Sequence, residues 1–91
     1  MKDLTLFCGT KNQTTYNLKE DLVLVDLDEL DNDLLATFDL GGITLEYIST
    51  SKGLELESAY IYDGGYVFLP SVDFDKPILK NSVENLIMEK V

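Results

Sequence analysis

Residues 21–40 read DLVLVDLDELDNDLLATFDL: seven acids, no base, and eleven residues from Leu, Val, Ala and Phe. Two periodicities are superposed here. Residues 21–27, DLVLVDL, form a strand with both faces apolar in its middle, as expected for a central position in a sheet. Residues 28–35, DELDNDLL, allow a helical turn capped by Asp26, since Leu27, Leu30, Leu34 and Leu35 have helical spacing. They equally allow an irregular loop rich in Asp and Asn. LLATFDL follows, then Gly41-Gly42, then ITLEYIS. That order predicts a hairpin whose glycines supply the positive φ of a tight turn.

Outward from this stretch the turn signals continue. TSKG (50–53) separates ITLEYIS from the alternating LELESAYIY (54–62), and Asp63-Gly64-Gly65 leads into YVFLP (66–70). Upstream, DLTLF (3–7) and TTYNL (14–18) are short strand candidates around a GTKNQ turn (9–13). The tail changes period. Apolar residues at 78, 79, 83, 86 and 87, continued by Val91, give an amphipathic helix within 76–90. Asp75 is placed to cap it and Pro77 to occupy its first turn. The expected fold is α+β: a curved, meander-like antiparallel sheet of five or six strands with a C-terminal amphipathic helix packed on one face.

A chain of 91 residues suits a single domain spanning 1–91, and 45% hydrophobic content supports one compact core rather than disorder. At this size about 60–65% of the unfolded surface is buried on folding. No apolar run approaches the ~20 residues of a membrane span, and MKDLTLFCGT lacks the apolar region of a secretion signal. The chain opens on Met and shows no tag or linker, so a complete small gene product is expected. Cys8 is the only cysteine and there is no histidine, which excludes an internal disulfide and a Cys/His zinc site. Cys8, in the apolar context LFCG, is expected to be a buried packing residue in a reducing, cytoplasmic setting.

Charge is the most informative property. There are 17 acids and 7 bases, all Lys, for a net charge of −10. From Glu20 to Asp75 there are 14 acids and one base, Lys52. Direct binding to nucleic acid or to an anionic membrane is disfavoured, because both require clustered cations. A basic protein partner fits, and so does a solvated surface that only maintains solubility.

Chemistry finds little purchase. A serine triad needs a base that is absent, and neither phosphate-binding glycine motif occurs. Asp26, Asp28, Asp31 and Asp33 resemble a calcium loop in density. Yet Leu30 and Asp31 stand where an oxygen ligand and Gly are needed, and Thr37 where the bidentate Glu belongs. No enzyme activity, metal or cofactor is expected. What survives is the acidic surface. In a strand, residues two apart share a face at about 6.6–6.8 Å, so Asp26 with Asp28, and Glu55 with Glu57, form rows spaced like neighbouring phosphates. Glu29, Asp31 and Asp33 join Asp26 and Asp28 as the candidate acidic group for a partner. Tyr47, Tyr60, Tyr62, Tyr66 and Phe68 suit core or cross-strand pairs, with Tyr60, Tyr62 and Asp63 a candidate contact patch.

In profile (small, acidic, without catalytic residues, mixed sheet and helix) the chain is similar to phage-type inhibitors that mimic DNA. The resemblance implies an anti-defence role in an infected bacterial host, blocking a basic nucleic-acid-handling protein such as a nuclease. An immunity or antitoxin-like protein that neutralises a toxin would share the acidity without the phosphate-like spacing. A structural accessory protein would instead assemble into homo-oligomers through its apolar strand edges.

Overall fold

The computed structural model describes residues 3–6, 13–62, 64–70 and 74–90. The stretch at 21–40 folds as a hairpin of β3 (Leu22–Leu30) and β4 (Asp33–Leu40). The chain then continues as a meander through β5 (Ile43–Thr50), β6 (Gly53–Tyr62) and β7 (Tyr66–Phe68). The five strands pair antiparallel in the order β3-β4-β5-β6-β7. Leu40 pairs with Ile43 across Gly41 (φ 55°) and Gly42 (φ 95°), a two-residue turn that demands left-handed backbone twice. The other hairpins fall where the turn residues place them, across Ser51-Lys52 and across 63–65.

Gly41 has a second constraint, because a Cβ there would collide with the Tyr16 ring. Gly41→Ala is therefore expected to lower stability by about 1–3 kcal/mol, combining left-handed strain with displacement of that ring. Gly42 faces open space and carries strain alone. Urea denaturation should rank Gly42→Ala as the milder change.

Two features of β3 correct the expectations. Residues 28–35 are neither a helical turn nor an irregular loop: β3 runs to Leu30, Asp31 (φ 55°) and Asn32 turn the chain, and Asp33 opens β4. Asp tolerates the left-handed region better than most residues, and cross-strand pairing outweighs the helical spacing of the leucines. Nor is β3 central. It is an edge strand, and its second apolar face is in solvent, with Val23 52% and Val25 63% exposed.

A β-bulge explains how one strand reads as apolar on both faces. The register slips between Leu24, opposite Phe38, and Asp26, opposite Thr37, leaving Val25 unpaired. Strict alternation from Leu22 and Leu24 would send Asp26 and Asp28 into the core. The extra residue reverses the phase, so that Leu27 turns inward and both acids turn to water. β6 has a second slip at Glu57, between the Glu46–Ser58 and Tyr47–Leu56 pairs, so the two bulges flank the rung of Asp26, Thr37, Glu46 and Ser58.

The inner face is covered by a hairpin and a helix, in place of a sixth strand in one sheet. β1 (Asp3–Leu6) and β2 (Thr14–Asn17) form a separate two-stranded sheet. A four-residue helix, α1 (Leu18–Asp21), joins β2 to β3 and was not foreseen. Its cap is reciprocal: Asn17 Oδ1 accepts from Lys19 N at 3.0 Å, and Asp21 Oδ2 accepts from Asn17 N at 2.8 Å. The C-terminal helix α2 spans Pro77–Lys90. Its Leu79, Val83 and Ile87 are buried, whereas Leu86 and Ile78 are only half-buried. Asp75 pairs with Lys80 Nζ at 2.7 Å, across the first turn.

The layers meet at Phe38, Leu45 and Tyr47 on the sheet, Leu4 and Leu6 on β1, and Phe74 before α2. The Tyr47 hydroxyl donates to the Phe74 carbonyl at 2.7 Å. Burial, and secondarily the Asp75 charge, pushes that hydroxyl far above the usual tyrosine range. Cys8, Val91 and most of the GTKNQ turn lie outside the described residues. Among those described, no helix is long and apolar enough to cross a membrane.

Candidate functional site: the open face of the sheet

With α2 and the β1–β2 hairpin on one side, the opposite side of the five-stranded sheet is uncovered. Its side chains follow from the register. One rung reads Val23, Asp39, Thr44, Tyr60, Phe68; the next reads Asp26, Thr37, Glu46, Ser58; the third reads Asp28, Leu35, Ile48, Glu55. Strands sit about 4.8 Å apart, which puts Asp26 roughly 10 Å from Glu46 and Asp28 roughly 14 Å from Glu55 across the face. Glu46 is held in place, its Oε1 accepting from Ser58 Oγ at 2.6 Å.

No lysine lies in any of the strands β3–β7. Lys52 occupies the β5–β6 turn, and Lys19, Lys76, Lys80 and Lys90 belong to the helix layer. Among the described residues the open face therefore carries acids with no base, whereas the helix layer mixes those four lysines with Glu20, Asp21, Asp75, Glu84 and Glu89. Asp26, Asp28 and Glu55 are exposed on the open face, and Asp33 is half-buried beside them, opposite Leu30. Glu57 is exposed at its bulge. Asp31 stands apart at the hairpin tip, and Glu29 pairs with Leu34 on the helix-covered side, though solvent reaches it. Asp63 lies outside the described residues. Asp39 and Glu46 are additions that the sequence did not single out. Counting alternate residues outward from Phe38 and Leu45 places both, once those two are assigned to the core.

The corner formed by β6 and β7 is different. Phe68, Tyr60, Tyr66 and Tyr62 form a continuous edge-to-face ladder, with centroid separations of 5.7, 5.3 and 5.0 Å in that order. Tyr62, Tyr66 and Phe68 are each about two-thirds exposed, at 66%, 65% and 69%. They are cross-strand pairs as expected, but not core; of the five aromatics, only Tyr47 is buried. Partial desolvation, then the charges of Glu46 and Tyr66, raise the Tyr60 hydroxyl above its ordinary value. A cluster of exposed rings beside a carboxylate is suited to cationic, partly apolar groups.

No known family, curated protein or solved structure matches this chain. The site therefore has to be judged on its own chemistry. Its groups accept hydrogen bonds, attract cations and offer aromatic area. The four calcium-loop candidates do not converge, and no group of three or more His, Cys, Asp or Glu among the described residues is arranged to hold a metal ion. A cavity of about 810 Å³ opens on the other layer between α1 and α2, lined by Leu18, Leu22 and Leu86 with Asn17, Ser82 and Asn85. Ser82 Oγ is buried there without a hydrogen-bond partner.

Proposed function

We propose that this protein is a small acidic binding protein, of the kind that phages and mobile elements use as inhibitors. It blocks a basic nucleic-acid-handling protein, such as a defence nuclease, by charge complementarity or DNA mimicry. The observation that carries the proposal is the open face of the sheet: a pleated surface with carboxylates on three successive rungs and no base in any strand. Rows along β3 repeat at about 6.6–6.8 Å, comparable with successive phosphates, and a paired sheet holds them without the entropy cost of ordering a loop. Such a field speeds encounter with a basic groove and makes association sensitive to salt.

The test uses a variant with Asp26→Asn, Asp28→Asn, Glu46→Gln and Glu55→Gln, which removes four charges from the face with little change in shape. The wild-type protein is immobilised, and proteins of a bacterial lysate are captured at low salt, eluted at high salt and identified. Affinity of the variant for the captured protein is expected to fall about ten- to a hundredfold, at a few tenths of a kcal/mol per charge. Its salt dependence should flatten, while stability holds or rises as like charges are relieved. Equal affinity in a folded variant would end the case for the acidic face.

A second reading is favoured by the aromatic corner, which DNA mimicry does not need. On it the protein neutralises a toxin as an immunity or antitoxin-like partner. Competition separates the two: duplex DNA displaces a mimic from its target and leaves a toxin complex intact.

A further inference from the structure

A sheet with two edges must protect both against unwanted pairing. The β3 edge is well defended. It carries Asp26, Asp28 and Glu29, and the bulge at Val25 interrupts its ladder. The β7 edge has neither device. Tyr66-Val67-Phe68 contains no charge, bulge or proline, and all three residues are more than half exposed.

The backbone of β7 is also oriented for pairing. Leu69 N donates to the Ala59 carbonyl at 2.8 Å, in the same register that sets Tyr60 opposite Phe68. Hydrogen-bonded pairs alternate along an antiparallel ladder, so Val67 faces β6 and the main-chain groups of Tyr66 and Phe68 point away from the sheet. Their rings lie on the open face. Val67 lies on the other, beside half-buried Ile61.

We propose that β7 accepts an extended segment of the basic partner as a sixth strand, with cationic and apolar side chains in alternation. The inference rests on the basic-partner reading and adds the place and pattern of contact. The cationic side chains lie over the Tyr60, Tyr62, Tyr66 and Phe68 rings, where cation–π attraction and the negative field act together. The apolar side chains extend the row of Ile61 and Val67. Main-chain bonds to Tyr66 and Phe68 supply affinity, as in other strand-addition complexes. A second copy of the chain is the wrong occupant, because each copy brings a net charge of −10 to the contact.

Two blocked peptides test this on the ¹⁵N-labelled protein: one alternating arginine and valine, the other with the same residues in separate blocks. The alternating peptide should slow hydrogen exchange at the Tyr66 and Phe68 amides by about tenfold or more, and the block peptide should not. Equal effects from both peptides, with shifts spread over the acidic rungs, would overturn the inference while leaving the basic-partner reading intact. No response to either peptide overturns it as well, and the four-charge variant then decides the basic-partner reading separately. Concentration-dependent protection of these amides without peptide would replace the proposed occupant with a second copy.

Discussion

Phe38→Ala is expected to destabilise the protein by about 3–5 kcal/mol, the range for emptying a buried aromatic site. Phe38 is fully buried at the middle of β4, between Leu24 and Leu45 on the neighbouring strands. Its ring stands edge-on to Tyr47, with centroids 6.1 Å apart and planes at 82°. Small domains have about 5–15 kcal/mol in total, so the variant should be close to unfolding at room temperature. Phe68→Ala removes a ring of equal size from the open face and should cost under about 1 kcal/mol, chiefly the lost pairing with Tyr60. Urea midpoints of the two variants give the contrast directly. Similar losses would mean that both faces of the sheet are covered.

The second large effect belongs to α2. Leu79→Ala is expected to cost about 2–5 kcal/mol, because Leu79 is fully buried against the sheet and a cavity would remain. Leu86→Ala should cost less, since Leu86 is half-buried and lines the open cavity beside α1. Met88→Ala should cost almost nothing, because Met88 is largely exposed. The series distinguishes a structural helix from a partner-binding arm. A Leu79→Ala variant with an unchanged melting temperature but lost partner binding would favour the arm.

The hairpins were legible because their turns need residues with unusual backbone freedom, and Gly41-Gly42 and Gly64-Gly65 announce it. The tail was legible because Leu79, Val83 and Ile87 keep helical spacing behind Pro77. The meander order was legible from the turns, but the edge position of β3 was not. An apolar run such as LVLV fits a central strand as well as an exposed edge, and only its pairing decides which. The bulges at Val25 and Glu57 were invisible for a related reason: an extra residue has no composition of its own. That gap extended to the site. Acid counting found Asp26 and Asp28 and assigned Glu29 to the same group, but a residue's face depends on register. Glu46 and Asp39 were overlooked because each stands isolated among apolar neighbours, away from the acidic run at 26–33, while Tyr66 and Phe68 were expected in pairs without their exposure being foreseen.

The two bulges also bear on how this chain can change its length over evolutionary time. Losing or gaining one residue is usually absorbed where a loop can relax. In the middle of β3, loss of Val25 would remove the bulge and leave plain alternation through Leu24, Asp26, Leu27 and Asp28, with each side chain on its present face. Loss of Glu57 would likewise join Leu56 to Ser58 in unbroken alternation and keep the faces of β6. Single-residue deletions are therefore absorbed at these two bulges as well as in the turns, whereas one elsewhere within a strand would exchange the faces on one side of it. Among lineages descended from this sequence, the spacing between Leu24 and Leu27, and between Leu56 and Ala59, should be where strand length varies by one residue, while the spacing elsewhere within β3 and β6 holds.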